Sequence, residues 1–501
     1  MKTYSDYMHE ISKEVLYEKL LSYGMFSEKI PPFLTSEVFS NLCISTNPGF
    51  KNKSYDYIRY DSMRNTGFPR QIGIPTPFAY EKLCSTLKKY WNEIQNHFYI
   101  QTSEEAYVVS RLHIQLRNEI NPLFEMNYDD WYNAGSPEDD LLLGAKYIVK
   151  SDISTCFPSI YTHAIPWALV GKEESKKSTN SRKWFNEIDK SCRNMKDKET
   201  HGILIGPHSS NVISEILLTT IDCHLYEKGY RYVRHIDDYT CYVENREKAD
   251  SFIRDLIDEL SYFDLSLNYK KTKVIELPAI FDDYWRKELN AFDFVTSYEQ
   301  VNYKMVQSYL ELAIRLMKNY NNNAAILNYA IKTLSNHPLT ENGKKLFGDM
   351  VMHYSIIYPY LVGILEKNVF EKINLEINKI NKLSNILYID GINKRNYEQS
   401  CYAIYFALKY NFSLDEISDS AIISSNNCIL KLLAYLYFKK EKNVDALNKF
   451  HEHALYLCNQ EMDRYWIYIY EVLDANELND DWKIIKNKKI SFVKPEFMFH
   501  D

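Results

Sequence analysis

The stretch Arg231–Val243, RYVRHIDDYTCYV, alternates apolar and polar residues on both sides of a short polar break. That period of two marks a β-hairpin. Its turn holds two adjacent aspartates, Asp237 and Asp238. Asp is a favoured turn residue, so the pair taken alone reads as a solvated turn. The flanking segments narrow the choice. Upstream, YIVKSDISTCFPSIY runs an apolar strand into Asp152, a third carboxylate at a strand end, with Phe157 five positions later. Between the two acidic segments, HGILIGPHSSNVISEILLTTIDCHL sets Gly202, Gly206 and Pro207 at a turn ahead of an apolar helix. Ser209, Ser210 and Asn211 are N-cap candidates there, and the glycines let backbone approach a substrate. Downstream, EKADSFIRDLIDELSYF places Ala249, Phe252, Ile253, Leu256, Ile257 and Leu260 on one helical stripe before LSLNYKKTKVIEL returns to strand. Such an order demands an α+β fold with acidic side chains at strand ends.

The texture changes from about residue 298. VNYKMVQSYLELAIRLMKNY, NAAILNYAIKTLSNH, KKLFGDMVMHYSIIYPYLVGILEK, EQSCYAIYFALKYN and NCILKLLAYLYFKK are helical, with short Asn/Ser/Asp-rich breaks between them. An all-α helical-repeat (HEAT-like) domain is expected, although no fixed period names a repeat family. The chain of 501 residues therefore divides into 1–285 and 290–501, with the boundary between Leu277 and Ser297.

Charge and cysteine usage limit the partners. A net charge of −7 and a pI of about 6.1 argue against a large non-specific duplex footprint, which needs a basic face. Nine dispersed cysteines without a CxxC pair indicate reduced thiols in a cytoplasmic protein and no zinc ribbon. No signal-peptide core opens the chain, and no run of about eighteen apolar residues spans a membrane. The HEH at His451–His453 reads as helix surface, because a spacing of two separates the imidazoles.

Taken in order, these segments resemble the palm of reverse transcriptases. Asp152 matches the motif A aspartate, Gly206 to Ser210 match motif B, His235–Asp238 match the Tyr-x-Asp-Asp of motif C, and the Lys-Thr of LNYKKT matches motif D. Nucleotidyl transfer uses two Mg²⁺ ions that stabilise the attacking and leaving oxygens, and Mg²⁺ takes carboxylate, phosphate and water oxygens. The resemblance implies Asp152 and Asp237 as principal ligands with Asp238 in support, and Mn²⁺ as a substitute ion. It also implies that Phe157 packs beneath the sugar and excludes a 2′-hydroxyl. Lys271 would protonate the departing pyrophosphate, and Arg70, in PRQIGIPTP, would meet the triphosphate. Ile153, Gly206 and Ser210 complete the expected nucleotide contacts.

Departures narrow the group. His235 stands where Tyr is usual, Ile205 replaces a common Gln, and no maturase-type thumb follows LNYKKTKVIELP. The segments DISTCFPSIYTHAIPWAL and HGILIGPHSSNVISEILL look like the abortive-infection phage-defence polymerases of the AbiK-like group. That resemblance implies template-independent DNA synthesis from dNTPs, primed on a protein hydroxyl. The single-stranded DNA product would stay covalently attached to a homo-oligomer. A Tyr phenol, with a pKa of about 10, suits priming. Tyr55, Tyr57 and Tyr60 in KNKSYDYIRYDS, together with Tyr4 and Tyr7, lie in polar stretches ahead of the palm and are the candidates. The alternatives are an RNA-templated reverse transcriptase, retron-like or group II-like, and an idle palm used as a scaffold.

Overall fold

Two small antiparallel sheets organise the first half of the chain in the computed structural model, which describes residues 2–111, 114–116, 121–124, 137–178, 180–279, 284–294 and 300–499. Strands β1 (Ile58–Met63) and β2 (Pro69–Ile74) form a hairpin in which Ser62 faces Arg70. The second sheet contains β3 (Tyr147–Asp152), β4 (Tyr232–His235), β5 (Asp238–Val243) and β6 (Lys273–Glu276), in the order β4-β5-β3-β6. The alternation that marked the hairpin has a physical counterpart, since Tyr239, Cys241 and Val243 point into the core. KNKSYDYIRYDS, expected as a polar loop, instead ends in strand: Ile58, Tyr60 and Ser62 are buried at alternate positions of β1.

Two helices back the larger sheet. The Arg246–Tyr262 helix, capped by the Asn245 side chain on the Lys248 amide, buries Ala249, Phe252, Leu256 and Leu260 and packs on β3 and β5. Ile253 and Ile257, on the same expected stripe, are only partly buried. The His208–Glu227 helix is buried on nearly every side, its Glu215 and Asp222 side chains included. YEKLCSTLKKYWNEIQNHF, which reads as one helix, is split at Tyr90 into Pro77–Lys89 and Trp91–Thr102.

From Tyr303 to Asn487 the elements are helices, including antiparallel neighbours Tyr303–Asn319 with Ala325–Ser335 and Ile377–Lys394 with Tyr397–Lys409. Among the described residues no strand follows β6, and no helix is long and apolar enough to cross a membrane. All nine cysteines are free. His451 and His453 are half-buried and engage Glu477 and Tyr468 respectively, so HEH is not simply surface.

We propose that the boundary between two units falls at residues 285–290, within the Tyr284–Asn290 helix that follows the last strand, yet these units share a core. The last residues return to the first helices: Thr35 N–H donates to the Phe492 carbonyl at 2.8 Å, and Lys494 N–H donates to that of Phe33 at 2.9 Å. Phe78 packs edge-on to Trp482 at 4.6 Å between ring centres, and Phe39 lies 5.6 Å from Phe492.

A second tie reaches the β1–β2 hairpin. The Glu398 carboxylate, buried on the Tyr397–Lys409 helix, accepts from Ser62 Oγ at 2.8 Å and from Met63 N–H at 2.7 Å. Burial pushes this carboxyl up to about 7, against the pull of those two hydrogen bonds. The native state therefore keeps a proton that the unfolded chain has already lost above about pH 4.5, and stability falls as pH rises from there to about 7. Glu398→Gln keeps the shape and the Met63 bond without the charge. It is expected to flatten this slope and to raise stability at pH 8 by on the order of 1–3 kcal/mol. Thermal melts of both proteins at pH 5 and pH 8 check it; an unchanged slope assigns the dependence to other groups.

Candidate active site

The sheet order makes β3 and β5 neighbours, and their register sets Asp152 directly opposite Asp238. His235 pairs with Asp238 across the β4–β5 turn, which leaves Ile236 and Asp237 as a two-residue loop. Such loops need a left-handed residue to match the twist of their strands. Here it is Ile236, at φ +57°, and a β-branched residue is strained in that region. Thr155, three residues beyond Asp152, is left-handed too, at φ +46°. Both carboxylate-bearing segments thus carry a strained, β-branched backbone position, the kind of outlier that persists only where its surroundings hold it.

The two segments are joined directly. Ile153 N–H donates to the Asp237 carbonyl at 3.1 Å. Its side chain is buried, and its backbone links the two acidic segments. Asp152 is clasped from the other side. Asn268 donates its backbone N–H to the Asp152 carbonyl at 2.8 Å and its Nδ2 to Oδ1 at 2.9 Å, while Lys271 Nζ pairs with Oδ2. Asn268 escaped the sequence reading. Its signal was the turn it opens, in which Lys271 N–H donates to the Asn268 carbonyl at 3.0 Å and so puts both side chains on one carboxylate.

Asp237 and Asp238 feel both burial and their neighbours' charge. Burial, then the charge of Asp152, raises Asp237, while the cations Lys271 and Arg70 pull it back. Asp238, at the solvent edge, is pushed up to about 7 by the protein around it, then by Asp237 and Asp152. The cluster is short of positive charge, and its donors are hard oxygens. Among the described residues no closed cage of three protein ligands exists. An open set of carboxylates fits Mg²⁺, which keeps water and substrate phosphates in its shell.

The remaining candidates separate into those near this cluster and those elsewhere. Arg70, on β2, is close enough for its charge to act on Asp237. Phe157 is half-buried on the short Cys156–Ser159 helix, and its carbonyl accepts from Ile203 N–H at 2.9 Å. The glycines of the segment behind it pack closely against protein. A Cβ at Gly202 (φ +83°) would meet the Pro158 carbonyl at 2.6 Å, and one at Gly206 (φ +124°) would meet Ile72 Cγ2 at 2.8 Å. Gly73 N–H donates to the Ile205 carbonyl at 2.8 Å, fastening β2 to the same segment. The helix that follows is not capped by Ser209, Ser210 or Asn211: Pro207 is its N-cap, and Ser210 lies buried in the first turn.

The tyrosine candidates are less exposed than their polar surroundings suggested. Tyr4, Tyr55 and Tyr60 are buried, and burial raises each phenol pKa. Tyr57 is half-buried under the Arg59 guanidinium at 4.3 Å, and Tyr7 is half-buried with Lys2 Nζ 5.6 Å from its ring centre.

No curated protein matches the chain. Solved structures that resemble it include apo telomerase from Candida tropicalis truncated from its C-terminal domain, at 17% identity over 49% of this chain and 56% of that one, with a TM-score of 0.31. Telomerase from Candida albicans, in complex with a fragment of telomeric RNA, is 14% identical over 77% of this chain and 62% of that one, with a TM-score of 0.31. Apo telomerase from Candida tropicalis is 13% identical over 78% and 73%, with a TM-score of 0.32. The chain spans little more than half the length of the first of these, 56%. Residues 112–326, which hold the whole β3–β6 sheet and its carboxylates, match the family model of reverse transcriptase (RNA-dependent DNA polymerase), so this part of the chain is similar to reverse transcriptases.

Proposed function

We propose that the protein is a DNA polymerase that adds deoxynucleotides by two-metal nucleotidyl transfer at the β3–β5 edge. The observation that carries this reading is the register: Asp152 and Asp238 face each other across adjacent strands, and Asp237 is tied to them through the Ile153 amide. Asp152 and Asp237 would hold Mg²⁺, with Asp238 in support; when bound, the ions supply charge stabilisation to the attacking and leaving oxygens. Lys271, which pairs with Asp152, would carry a proton toward a departing pyrophosphate, and Arg70 would meet a triphosphate. Phe157, from the segment that follows Asp152, is the steric filter for the sugar.

The finer reading is template-independent, protein-primed synthesis in abortive-infection phage defence, in a homo-oligomer. Its support is the AbiK-like resemblance and the net negative charge, which argues against a large non-specific duplex footprint. RNA-templated synthesis is the second reading, favoured by the family match to an RNA-dependent polymerase. Incubating the purified protein with dNTPs and Mg²⁺, with and without RNA, separates them: template-independent synthesis gives product in both reactions. Protein priming leaves that product attached under denaturing conditions, and mass spectrometry after nuclease digestion maps the linkage. Product that runs free of protein sinks protein priming, and product made only with RNA establishes the second reading.

Phe157→Val tests the filter. Loss of a steric block is expected to lower discrimination between dNTP and rNTP by on the order of tenfold or more, measured as a ratio of kcat/KM values. An unchanged ratio would leave Phe157 as a packing residue.

A further inference from the structure

Immediately before the acidic turn lies a charge that nucleotidyl transfer does not use. Arg234 is fully buried, and a buried guanidinium requires partners at good geometry. It has them on the His208–Glu227 helix: Nη1 donates to Glu215 Oε1 at 2.8 Å, and Nε donates to Asp222 Oδ2 at 2.8 Å. Nη2 also pairs with Asp222 Oδ2 at 2.6 Å. The same Nη1 donates at 2.7 Å to the carbonyl of Ile236, the left-handed residue of the turn.

The chain of contacts continues away from the site. Glu215 Oε2 accepts from Tyr4 Oη at 2.8 Å and from Ser110 Oγ at 2.8 Å. Tyr4 opens the Tyr4–His9 helix, whose start is fixed by a capping box between Thr3 and Asp6, and its ring packs edge-on to Phe98 at 5.5 Å. A continuous run of buried hydrogen bonds thus leads from the N-terminal helix, through Glu215 and Arg234, to the backbone of the turn that presents Asp237.

We propose that Arg234 is a positioning residue for Asp237, and that the N-terminal helix, through Tyr4 and Glu215, is part of the same support. A β-branched residue stays in the left-handed region only when its surroundings over-determine it. Two bonds do so here: Arg234 holds the Ile236 carbonyl, and Ile153 holds that of Asp237. Arg234 is oriented in turn because both of its carboxylate partners sit on one rigid helix, and Tyr4 with Ser110 fixes the second oxygen of Glu215. Groups behind a metal ligand that set its orientation change metal affinity about 10–100-fold when lost. The proposal gives Tyr4 a structural task in place of priming, and it rests on the reading of Asp237 as a metal ligand.

The test is Mn²⁺ binding to the full-length protein without nucleotide, followed by electron paramagnetic resonance, together with thermal melting and the Mg²⁺ concentration that half-saturates incorporation. Arg234→Lys, which retains charge but cannot make the forked contact, is expected to weaken Mn²⁺ binding by about tenfold or more. It should also raise the Mg²⁺ requirement in parallel, with incorporation largely restored at saturating Mg²⁺. Tyr4→Phe, which removes one hydroxyl, should shift both in the same direction by a few-fold with little change in melting temperature. If Arg234→Lys does not fold, the Tyr4→Phe result decides. Wild-type Mn²⁺ binding in either folded variant overturns the proposal while Asp237→Asn still loses binding. Loss of covalent nucleotide in Tyr4→Phe with normal Mn²⁺ binding overturns it in favour of priming. Normal binding in Asp237→Asn removes the metal-site reading and this proposal with it.

Discussion

Asp152→Ala and Asp237→Ala each abolish nucleotide incorporation, with an expected loss of at least about a thousandfold, because each removes charge where the transition state needs it. The two variants should differ in stability. Asp237 is raised from its ordinary value by burial and by the charge of Asp152, so its removal relieves repulsion, and the variant's melting temperature should hold or rise. Asp152 is buried and paired with Asn268 and Lys271, so its removal leaves the Asn268 amide without that acceptor and should lower the melting temperature modestly. Activity assays paired with thermal melts check both parts. Near wild-type incorporation by either folded variant would sink the site assignment.

Cutting the chain after Pro278 is expected to abolish soluble expression of the first part, although that fragment contains every candidate catalytic residue. The cut removes Trp482 from Phe78, Phe492 from Phe39 and Phe497 from Phe33, where the ring centres are 6.4 Å apart in the last pair. It also removes Glu398 from the β1–β2 hairpin. Fully burying one such side chain contributes about 1.5–3 kcal/mol, so losing several burials at once consumes most of a typical 5–15 kcal/mol of net stability. The newly exposed aromatic surface would drive aggregation. Size-exclusion chromatography and incorporation assays on the fragment test this. A monodisperse, fully active fragment would show that the helical segment is dispensable both for folding and for synthesis.

Much of the site was legible in the sequence because its determinants are local. Alternation of period two announced β5, and adjacent aspartates between alternating runs announced the turn. An apolar run ending in Asp152 announced a strand-end carboxylate, and the loss of strand patterns near residue 298 announced the helical second half. These features depend on side chains within a few positions of each other, which backbone geometry couples directly.

What depended on distant partners was not legible. LNYKKT does not say that Asn268 and Lys271 close on a carboxylate 116 and 119 positions earlier. Nor does RYVRHIDD show that Arg234 turns inward to Glu215 and Asp222 rather than outward to phosphate. Polar neighbours made Tyr4, Tyr55 and Tyr60 look accessible, whereas the tertiary structure buries all three. The glycines that looked made for a substrate pack closely against Pro158 and Ile72. The two ends of the chain meet at Thr35 and Phe492 through a backbone hydrogen bond that carries no side-chain signature. Local pattern decides which element forms and which residues its edges present; burial, charge pairing and close approach are decided by whichever element packs opposite, and only the folded chain brings that element into place.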